Sequence, residues 1–430
     1  MSQTISLAQL RFAEYLKPQD VIAWPQGPGE PLALTEVLVA QGDELQMPTL
    51  LFGLTSSATL RPELAEHFIL RAFNGAGTNR RVTALADIIP CHVSAVPGLL
   101  RHGKVRVDVA LIAVRPLPDG NFTLGVISDF TQAMIRTARL VIALVNPALP
   151  LTSGDAMVQA EDIDLLVESD GRIVDMPDPQ PTAVELEVAR QVVSLIPDRA
   201  TVQLGVGTLP TAVAFALHAH RELGVHSGVV SDALVDLVER GVVTNAFKGR
   251  DAGKTVTGGL FGTRRLRDFA QSSGLIDMRS VEYTHNLAVT AAMPNFYTIN
   301  SAIEIDLTGQ VNSELAGDRY LGAVGGQIDF VRAGVASAGG HSIIAVPSTT
   351  ADGRQSRISA SLLNRPVTTA RSDIDIVVTE FGVAHLSGCA LRERAIRLLA
   401  IAHPDHRDSL MRAMHGAKSE LSRVSKKAAA

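Results

Sequence analysis

The sequence predicts an α/β fold built around a largely parallel sheet, and three observations support this. Short runs rich in Val, Ile and Leu alternate with helical hydrophobic patterns along the 430 residues. These runs are continuously apolar, as expected for strands covered on both faces, whereas a half-exposed strand would alternate apolar and polar residues. Hydrophobic types make up 46% of the chain and charged types 19%, which indicates a large buried core.

The clearest elements of the first half are two strands with a turn and a helix between them. Val107–Val114 and Leu140–Val145 are predicted to be buried strands. The Asp119-Gly120 pair between apolar stretches predicts a tight hairpin turn, and a helix is expected over Thr131–Ala138. The hairpin and both strands could be purely structural.

A polar, proline-rich segment, Asp175–Pro181, provides the best domain boundary. A helix should start directly after it, because Thr182 can act as the N-cap and Glu185 follows at the spacing of a capping box. We therefore predict an N-terminal α/β domain over residues 1–180 and a C-terminal domain over residues 181–430.

The first candidate site lies where a predicted strand, Val202–Leu204, runs into the glycine turn Gly205–Gly207. The next helix has Pro210 near its first turn and is predicted to end at Gly224. Such a glycine turn lets a ligand approach the main chain and directs free N–H groups toward an anion or a carbonyl oxygen. It is equally common as a structural connection, so both interpretations stay open.

The following segment contains residue types found in hydrolase triads. A helix is predicted between Ser231, its cap, and Gly241. His226, Ser227 and Asp232 could suggest a triad, but no glycine-flanked serine elbow is present. We reject a serine hydrolase site on this ground.

Two carboxylates and two glycine pairs mark the later part of the chain. Ile303–Leu307 alternates apolar residues with Glu304 and Asp306, the pattern of a strand with one polar face. We expect a structural role for Asp306 and leave the role of Glu304 open. Gly325-Gly326 and Gly339-Gly340 suit close main-chain contacts.

Five segments in this order together resemble one known family. They are Q-L-G-V-G-x-x-P from Gln203, V-H-S-x-V-V-S-D from Val225, I-N-S-A-I-E-I-D-L-T-G-Q-V-N-S-E from Ile299, G-G-Q-I-D-F from Gly325 and V-V-T-E-F-G-V-A-H-L-S-G from Val377. The chain resembles the acetyl-CoA hydrolase/transferase family, which includes 4-hydroxybutyrate, succinyl-CoA:acetate and itaconate CoA-transferases. The likeness is dense over Thr201–Asp408 and thinner around Val107–Asp164.

The resemblance implies two similar α/β domains of the CoA-transferase type, with the active site in the cleft between them and usually a homodimer. Enzymes of this family use covalent carboxylate catalysis. A glutamate attacks the acyl-CoA thioester, CoA returns to form a glutamyl thioester, and an acceptor carboxylate collects the CoA. The implied function is CoA transfer or thioester hydrolysis on a small acyl-CoA/carboxylate pair. CoA or acyl-CoA is then a substrate, and no permanently bound cofactor is expected.

The motifs also imply site residues. The amide of Gly326 should face the thioester oxygen. Residues expected to lie against CoA are Gly205, Val206, Gly207, Thr208, Leu209, Ile303, Gly322 and Gly326.

The chain departs from the family pattern at Gly228. In the family, the residue that follows His-Ser is the nucleophilic glutamate, and a glycine has no carboxylate with which to form the usual intermediate. Two further positions differ. An asparagine pair that helps to bind the oxyanion is replaced by His285-Asn286, and the lysine that usually precedes Gly339-Gly340 is replaced by Ala338. We interpret three differences around one site as a natural shift or loss of chemistry.

Several interpretations remain open. An enzyme without the carboxylate could activate water, with His285 as its general base, although His285 could also be a hydrogen-bonding structural histidine. The chain could instead bind CoA thioesters without turnover, or be an engineered Glu→Gly variant of a transferase. Arg264-Arg265 could meet CoA phosphates or belong to a solvated helix face, and we expect the latter.

The remaining features exclude other classes. A net charge of −5 argues against a nucleic-acid partner. Apolar runs such as Val107–Val114 are far shorter than the roughly 20 residues that span a bilayer, and the first residues lack a signal-peptide pattern. Cys91 and Cys389 cannot form a disulfide framework, which fits the cytoplasm. The 12 histidines show no metal-ligand spacing. The Lys-, Ser- and Ala-rich end over 416–430 is expected to be frayed.

Overall fold

The computed structural model describes residues 3–168 and 171–414. The end that we expected to be frayed, over 416–430, lies outside the described residues.

The described part of the first half is built on one sheet. Its strands are β1 (Gln3–Ile5), β2 (Val21–Ala23), β3 (Thr49–Phe52), β4 (Ile69–Ala72), β5 (Asp87–Ile88), β6 (Val109–Pro116), β7 (Phe122–Thr123), β8 (Leu140–Val145), β9 (Met157–Val158) and β10 (Leu165–Glu168). Its helices are α1 (Leu32–Ala40), α2 (Val96–Arg101) and α3 (Thr131–Thr137). The strands run parallel in the order β1-β10-β8-β6-β2-β3-β4-β5, and β7 and β9 add antiparallel pairs.

The described part of the second half repeats the arrangement on a second sheet. Its strands are β11 (Thr201–Leu204), β12 (Gly224–Ser227), β13 (Thr255–Thr257), β14 (Ile276–Met278), β15 (Phe296–Ser301), β16 (Glu304–Asp306), β17 (Val311–Asn312), β18 (Leu315–Ala316), β19 (Arg319–Tyr320), β20 (His341–Ala345), β21 (Ile358–Ser359), β22 (Ile376–Thr379) and β23 (Gly382–His385). The main sheet has the order β14-β13-β12-β11-β15-β20-β22-β23, and only β23 pairs antiparallel.

Helices connect the strands of this second sheet. They are α4 (Ala183–Val193), α5 (Thr208–Ala216), α6 (Asp232–Glu239), α7 (Arg264–Ser273), α8 (Val281–Thr284), α9 (Leu287–Thr290), α10 (Gln327–Ala336) and α11 (Leu391–Ile401). The α/β class with parallel sheets is therefore confirmed.

The continuous apolar runs are strands covered on both faces, as predicted. From Val109 to Val114 in β6, each residue is at most 6% exposed, so neither face of the strand meets water. This strand begins two residues later than predicted, because the Asp108 carboxylate accepts a hydrogen bond from the Val21 N–H at its entrance. The predicted hairpin is also present, with Gly120 at φ +86°.

The predicted capping box opens α4. Thr182 Oγ1 accepts a hydrogen bond from the Glu185 N–H, and the Glu185 carboxylate accepts one from the Thr182 N–H at 2.8 Å. The strands of the two main sheets lie on either side of Asp175–Pro181 in the chain. The domain bounds themselves stay a prediction.

One prediction about a helix end was wrong. The helix that begins near Pro210 ends at Ala216, and Gly224 is the first residue of β12. Gly224 does not have the positive φ of a helix-ending glycine. A Cβ there would lie 2.4 Å from Lys248 Cγ. Close packing against the buried Lys248 side chain therefore explains why this position is a glycine.

Candidate active site

A cavity of about 230 Å³ lies between the two halves, at the edge where parallel strands of both sheets have their carboxyl ends. In open parallel sheets, ligands bind at this edge, beside the point where the strand order reverses. The order reverses between β2 and β6 and again between β11 and β15. Residues at or just past the ends of six strands line the cavity: Gln26, Leu54, Asn74, Gly205, Gly228 and Asn300.

Main-chain hydrogen bonds hold the two halves together around this cavity. The Val93 N–H donates to the Gly325 carbonyl at 2.9 Å, and the Gly75 N–H donates to the Gly322 carbonyl at 2.8 Å. Both contacts join residues far apart in the chain. The cavity is therefore a product of the docking of the halves.

Gly228 lies directly after β12, with its carbonyl oxygen accepting a hydrogen bond from the Gly258 N–H at 3.0 Å. The Gly258 carbonyl in turn accepts a hydrogen bond from the Ser128 N–H of the first half at 2.8 Å. The main chain at Gly228 is thereby fixed from both halves.

The His285 ring fills the space that a side chain at Gly228 would need. A Cβ added at Gly228 would lie 2.7 Å from His285 Cε1 and 3.1 Å from Nε2. On the other side, a Cβ added at Gly326 would lie 2.3 Å from His285 Nε2. The Phe330 ring, with its centroid 4.5 Å from the His285 centroid, packs against the imidazole. The ring is thus held between two glycines and an aromatic side chain.

A hydrogen bond links His285 to the preceding residue. Its Nδ1 lies 2.8 Å from Thr284 Oγ1, and that hydroxyl also lies 3.2 Å from the Ser280 carbonyl. If the hydroxyl donates to Ser280, Nδ1 carries the ring hydrogen and Nε2 has the lone pair; if it donates to Nδ1, Nε2 carries the hydrogen.

Burial lowers the pKa of His285 to about 3, and the neighbouring His226 adds a smaller effect in the same direction. A desolvated imidazolium loses hydration that nothing here replaces. The ring is therefore neutral at physiological pH, and one of its two nitrogens has a lone pair.

Gly326 precedes the first turn of α10. In the described part of the chain, no acceptor is hydrogen-bonded to its N–H. A free N–H at a helix N-terminus beside a cavity can stabilise a developing oxyanion. The expected role of this amide toward a thioester oxygen stays a prediction.

A buried carboxyl group, that of Asp129, lines the same cavity from the first half. Its Oδ1 accepts hydrogen bonds from the N–H and the hydroxyl of Thr131, at 2.9 and 2.7 Å. Its Oδ2 accepts from Gln26 Nε2 at 3.1 Å, while Gln26 Oε1 accepts from the Leu54 N–H at 3.0 Å. Burial raises the pKa of Asp129, although hydrogen bonds from Thr131, from Gln26 and from the Phe130 N–H oppose that shift.

The structure brings together only some of the residues that the motifs suggested. Gly205, Val206, Gly228, His285 and Gly326 line the cavity. The other residues expected to contact CoA are not among its lining residues: Gly207, Thr208, Leu209, Ile303 and Gly322. Their proposed contacts with CoA stay predictions.

Two of those residues have clear local roles. Gly207 has φ +121°, a left-handed conformation that the turn into α5 requires. Leu209 is 5% exposed and packs in the core.

The expectation that Ala338 lies beside the site was wrong. Ala338 and the glycine pair after it lie between α10 and β20, at the amino end of that strand, whereas the cavity is at the carboxyl edge. The Ala338 carbonyl accepts a hydrogen bond from the Asn295 N–H just before β15. Asn286 acts as the cap of α9, where its Oδ1 accepts from the Ala288 N–H. Of the three positions expected from the resemblance to differ from the family, two therefore lie at the cavity: Gly228 and His285.

The residues of the rejected triad are engaged elsewhere. His226 Nε2 donates to the Thr284 carbonyl at 3.0 Å, and Ser227 Oγ donates to the Leu204 carbonyl at 2.6 Å. The Asp232 carboxylate accepts from the Thr263 N–H. These side chains form no nucleophile–base pair.

The structural role expected for Asp306 is confirmed. Its Oδ1 accepts hydrogen bonds from the N–H and the hydroxyl of Thr308 and from the Gln310 N–H, which closes a turn after β16. Glu304, on the same strand, is not among the residues that line the cavity.

Arg264 and Arg265 open α7 on an exposed helix face, as expected. Arg264 pairs with Asp268, and Arg265 pairs with Asp236 and Glu239. Neither arginine lines the cavity.

Sequence reasoning missed the cavity residues of the first half, including Gln26, Leu54 and Asp129. Of these three residues, Asp129 would have been the easiest to find from the sequence. It lies just before the predicted helix at Thr131, where an Asp commonly caps a helix. Gln26 and Leu54 carry no local motif.

Two general findings concern the described residues. Within 3–168 and 171–414, no group of three or more His, Cys, Asp or Glu side chains is arranged to hold a metal ion. In the same ranges, no helix is both long and apolar enough to cross a membrane.

Comparison with protein families gives two matches. Residues 9–177 match the model for the acetyl-CoA hydrolase/transferase N-terminal domain, and residues 262–414 match the model for the C-terminal domain of the same family. The segment with Gly228 lies between these matches.

Three known proteins are similar to this chain over most of their length. The 4-hydroxybutyrate coenzyme A transferase of Clostridium kluyveri is 39% identical over 390 residues, covering 89% of this chain and 91% of that protein. The crystal structure of RipA from Yersinia pestis superposes with a TM-score of 0.89 at 31% identity, covering 97% of this chain and 98% of RipA. A 4-hydroxybutyrate CoA-transferase from Porphyromonas gingivalis gives a TM-score of 0.82 at 31% identity, with 96% and 98% covered.

Proposed function

The chain belongs to the acetyl-CoA hydrolase/transferase family, and on this premise we propose that it binds a small acyl-CoA between its halves and hydrolyses the thioester. The observation that carries this proposal is the position of His285. Its ring occupies the space beside Gly228, and in the tautomer with hydrogen on Nδ1 its Nε2 presents a lone pair to the cavity. We propose that this nitrogen is the proton acceptor at the position where the family resemblance implies the nucleophile.

The proposed step is base-assisted attack by water. His285 Nε2 accepts a proton from a water molecule as the oxygen attacks the thioester carbon. The Gly326 N–H stabilises the oxyanion that forms. The carbon–sulfur bond then breaks, the CoA sulfur takes the proton from the imidazolium, and a carboxylic acid and CoA leave.

Asp129 is a poor candidate for a replacement nucleophile. Its Oδ1 is held by Thr131 and its Oδ2 by Gln26. A carboxylate with three donors on it has its charge dispersed and must lose hydrogen bonds before it can attack.

The pKa of His285 sets the expected rate. A base with a pKa of about 3 is weak at neutral pH, so water activation is inefficient and turnover should be slow. The same observation favours a second candidate function, in which the protein binds CoA thioesters without turnover.

One assay separates these functions. Acetyl-CoA or butyryl-CoA is incubated with the protein without an acceptor, and release of free thiol is followed. Steady release that His285→Ala abolishes supports hydrolysis. His341→Asn is the matched control, since that histidine lies at the amino end of β20 and pairs with Asp375, and it should release thiol at the wild-type rate.

Other outcomes contradict the proposal. Unchanged thiol release in His285→Ala would show that His285 is not the general base. Binding without release would support the second candidate. Rapid formation of a new thioester after acetate is added would show that a covalent or direct transfer route survives without a carboxylate at Gly228.

We also propose a cytoplasmic homodimer, as the sequence and the family resemblance imply. Light scattering coupled to size-exclusion chromatography tests the dimer directly, and a monomeric mass would contradict it.

A further inference from the structure

The charges in the cavity bear on which acyl group it accepts. Among the described residues that line it, none is Lys or Arg, and the ionisable ones are Asp129 and His285. Burial keeps His285 neutral by lowering its pKa. The cavity therefore offers no cation to an anionic ligand.

The protein partners of Asp129 are all hydrogen-bond donors. The Thr131 N–H, the Thr131 hydroxyl and the Gln26 amide all point at its oxygens. An ionised carboxylate is an acceptor only, so these donors favour the charged form and oppose the rise in pKa that burial causes. The Gln26 amide cannot turn around, because its oxygen accepts from the Leu54 N–H.

Part of the cavity wall is apolar. Leu54, Ile127, Phe261 and Phe330 line it with hydrocarbon and aromatic surface, while Asn74, Gln203, Asn300 and Gln327 add neutral amides. The apolar part favours burial of methyl and methylene groups, and none of the amides carries a charge to balance a carboxylate.

From these observations we propose that the cavity selects a short, uncharged acyl group and discriminates against an acyl group that ends in a carboxylate. A terminal carboxylate would lose its hydration, find no cation, and lie in the same small cavity as the Asp129 carboxylate. All three effects oppose binding. The inference rests on the proposed function only in that the cavity is the acyl-CoA site.

The test compares two ligands of equal chain length that cannot be hydrolysed. S-butyl-CoA and S-(3-carboxypropyl)-CoA are thioethers that differ only in the methyl or carboxylate at the end of the chain. Dissociation constants for the full-length protein are measured by isothermal titration calorimetry at pH 7.5, with free CoA as the reference. We expect S-butyl-CoA to bind about tenfold or more tightly than the carboxylate analogue, a difference of about 1.4 kcal/mol.

A charge added to the wall should change this preference. Leu54 is half-buried at the cavity, and Leu54→Lys supplies the missing cation. This variant should reduce the preference for the butyl ligand about tenfold. Leu54→Met is the matched control, since it changes shape without charge, and it should keep the wild-type preference.

The outcomes distinguish this inference from the proposed function. If both thioethers bind equally, or the carboxylate analogue binds more tightly, the charge argument is overturned while acyl-CoA binding stands. If neither thioether nor free CoA binds to the wild-type protein, the proposed function fails and this inference falls with it. The comparison of the two thioethers on the wild-type protein tests the inference even if Leu54→Lys does not fold.

Discussion

A side chain at position 228 would occupy the same space at the cavity as the ring of His285. The 2.7 Å separation between a Cβ at Gly228 and His285 Cε1 is shorter than real Cβ contacts allow. A side chain at Gly228 therefore requires the ring to move. This coupling argues against a single engineered Glu→Gly change in an otherwise unaltered transferase site, because the histidine is matched to the glycine.

The coupling predicts a specific result for reconstruction of the family site. Gly228→Glu alone should lower the free energy of unfolding by about 1–3 kcal/mol through overpacking, and it should not gain transferase activity. Gly228→Glu combined with His285→Asn makes room for the carboxylate and should gain transfer of CoA from acyl-CoA to acetate. Both are measured by chromatography of the thioesters and by denaturant titration.

His285→Asn alone is the control, and it should show no transfer. Full transfer by the single Gly228→Glu variant would show that the His285 ring moves aside without cost. No transfer by the double variant would mean that the rest of the site has also diverged.

At the scale of secondary-structure elements, the group that caps α6 is not the one that the sequence predicts. Ser231 occupies the predicted cap position of α6, but its side chain does not cap that helix. Instead, Asp178 from the connection between the halves accepts a hydrogen bond from the Ala233 N–H in the first turn, at 2.8 Å. The position of the cap was thus a local signal, whereas the capping group came from tertiary packing.

Gly224 gives a prediction at the level of a strand. Gly224→Ala places a methyl group against the Lys248 side chain, which is fully buried and donates to the carbonyls of Val225 and Lys254. We expect the free energy of unfolding to fall by about 1–3 kcal/mol in a denaturant titration.

The matched control is Gly98→Ala within α2, where nothing lies within 4 Å of the added Cβ. That variant should be neutral or more stable by up to about 1 kcal/mol. Equal stability of Gly224→Ala and the wild type would contradict the packing explanation.

For the molecule as a whole, the site depends on how tightly the two halves are joined. Besides the main-chain contacts, Ser94 Oγ donates to Asp329 on α10 at 2.9 Å, and Arg101 pairs with Glu282 across the halves. The ion pair is half-exposed and contributes little, whereas the half-buried Asp329 carboxylate would be costly without its donor. The Ser94–Asp329 hydrogen bond therefore contributes more to this junction than the surface ion pair.

Acid should destabilise the whole molecule through its buried histidines. Burial lowers the pKa of both His226 and His285 to about 3, from an ordinary value of 6.5. Between pH 6.5 and 3 the unfolded chain binds protons that the folded chain does not. The free energy of unfolding should therefore decrease as the pH is lowered through this range, by up to about 1.4 kcal/mol per pH unit for each histidine.

The measurement compares slopes, because acids such as Asp129 and Glu30, whose pKa burial raises, contribute with opposite sign. Denaturant titrations from pH 7 to pH 4 should give a shallower slope for His285→Asn than for the wild type. Phe247→Leu, which removes an exposed ring without a titratable group, should keep the wild-type slope. Parallel slopes for wild type and His285→Asn would contradict the low pKa.

Local signals were sufficient for much of the fold. The sequence by itself determined the α/β class, the buried strands β6 and β8, the hairpin at Gly120 and the capping box at Thr182. Each of these depends on residues within a few positions of one another, so the physical cause is contained in a short stretch of chain. The sequence alone also shows that position 228 has no carboxylate.

Only the tertiary structure decided which residues share the cavity. It placed Gln26, Leu54 and Asp129 opposite Gly228, and it moved Ala338 to the other edge of the sheet. It also put the His285 ring into the space beside Gly228. These relations follow from strand order and from the docking of two halves, which join residues far apart in the chain and leave no pattern in any one segment.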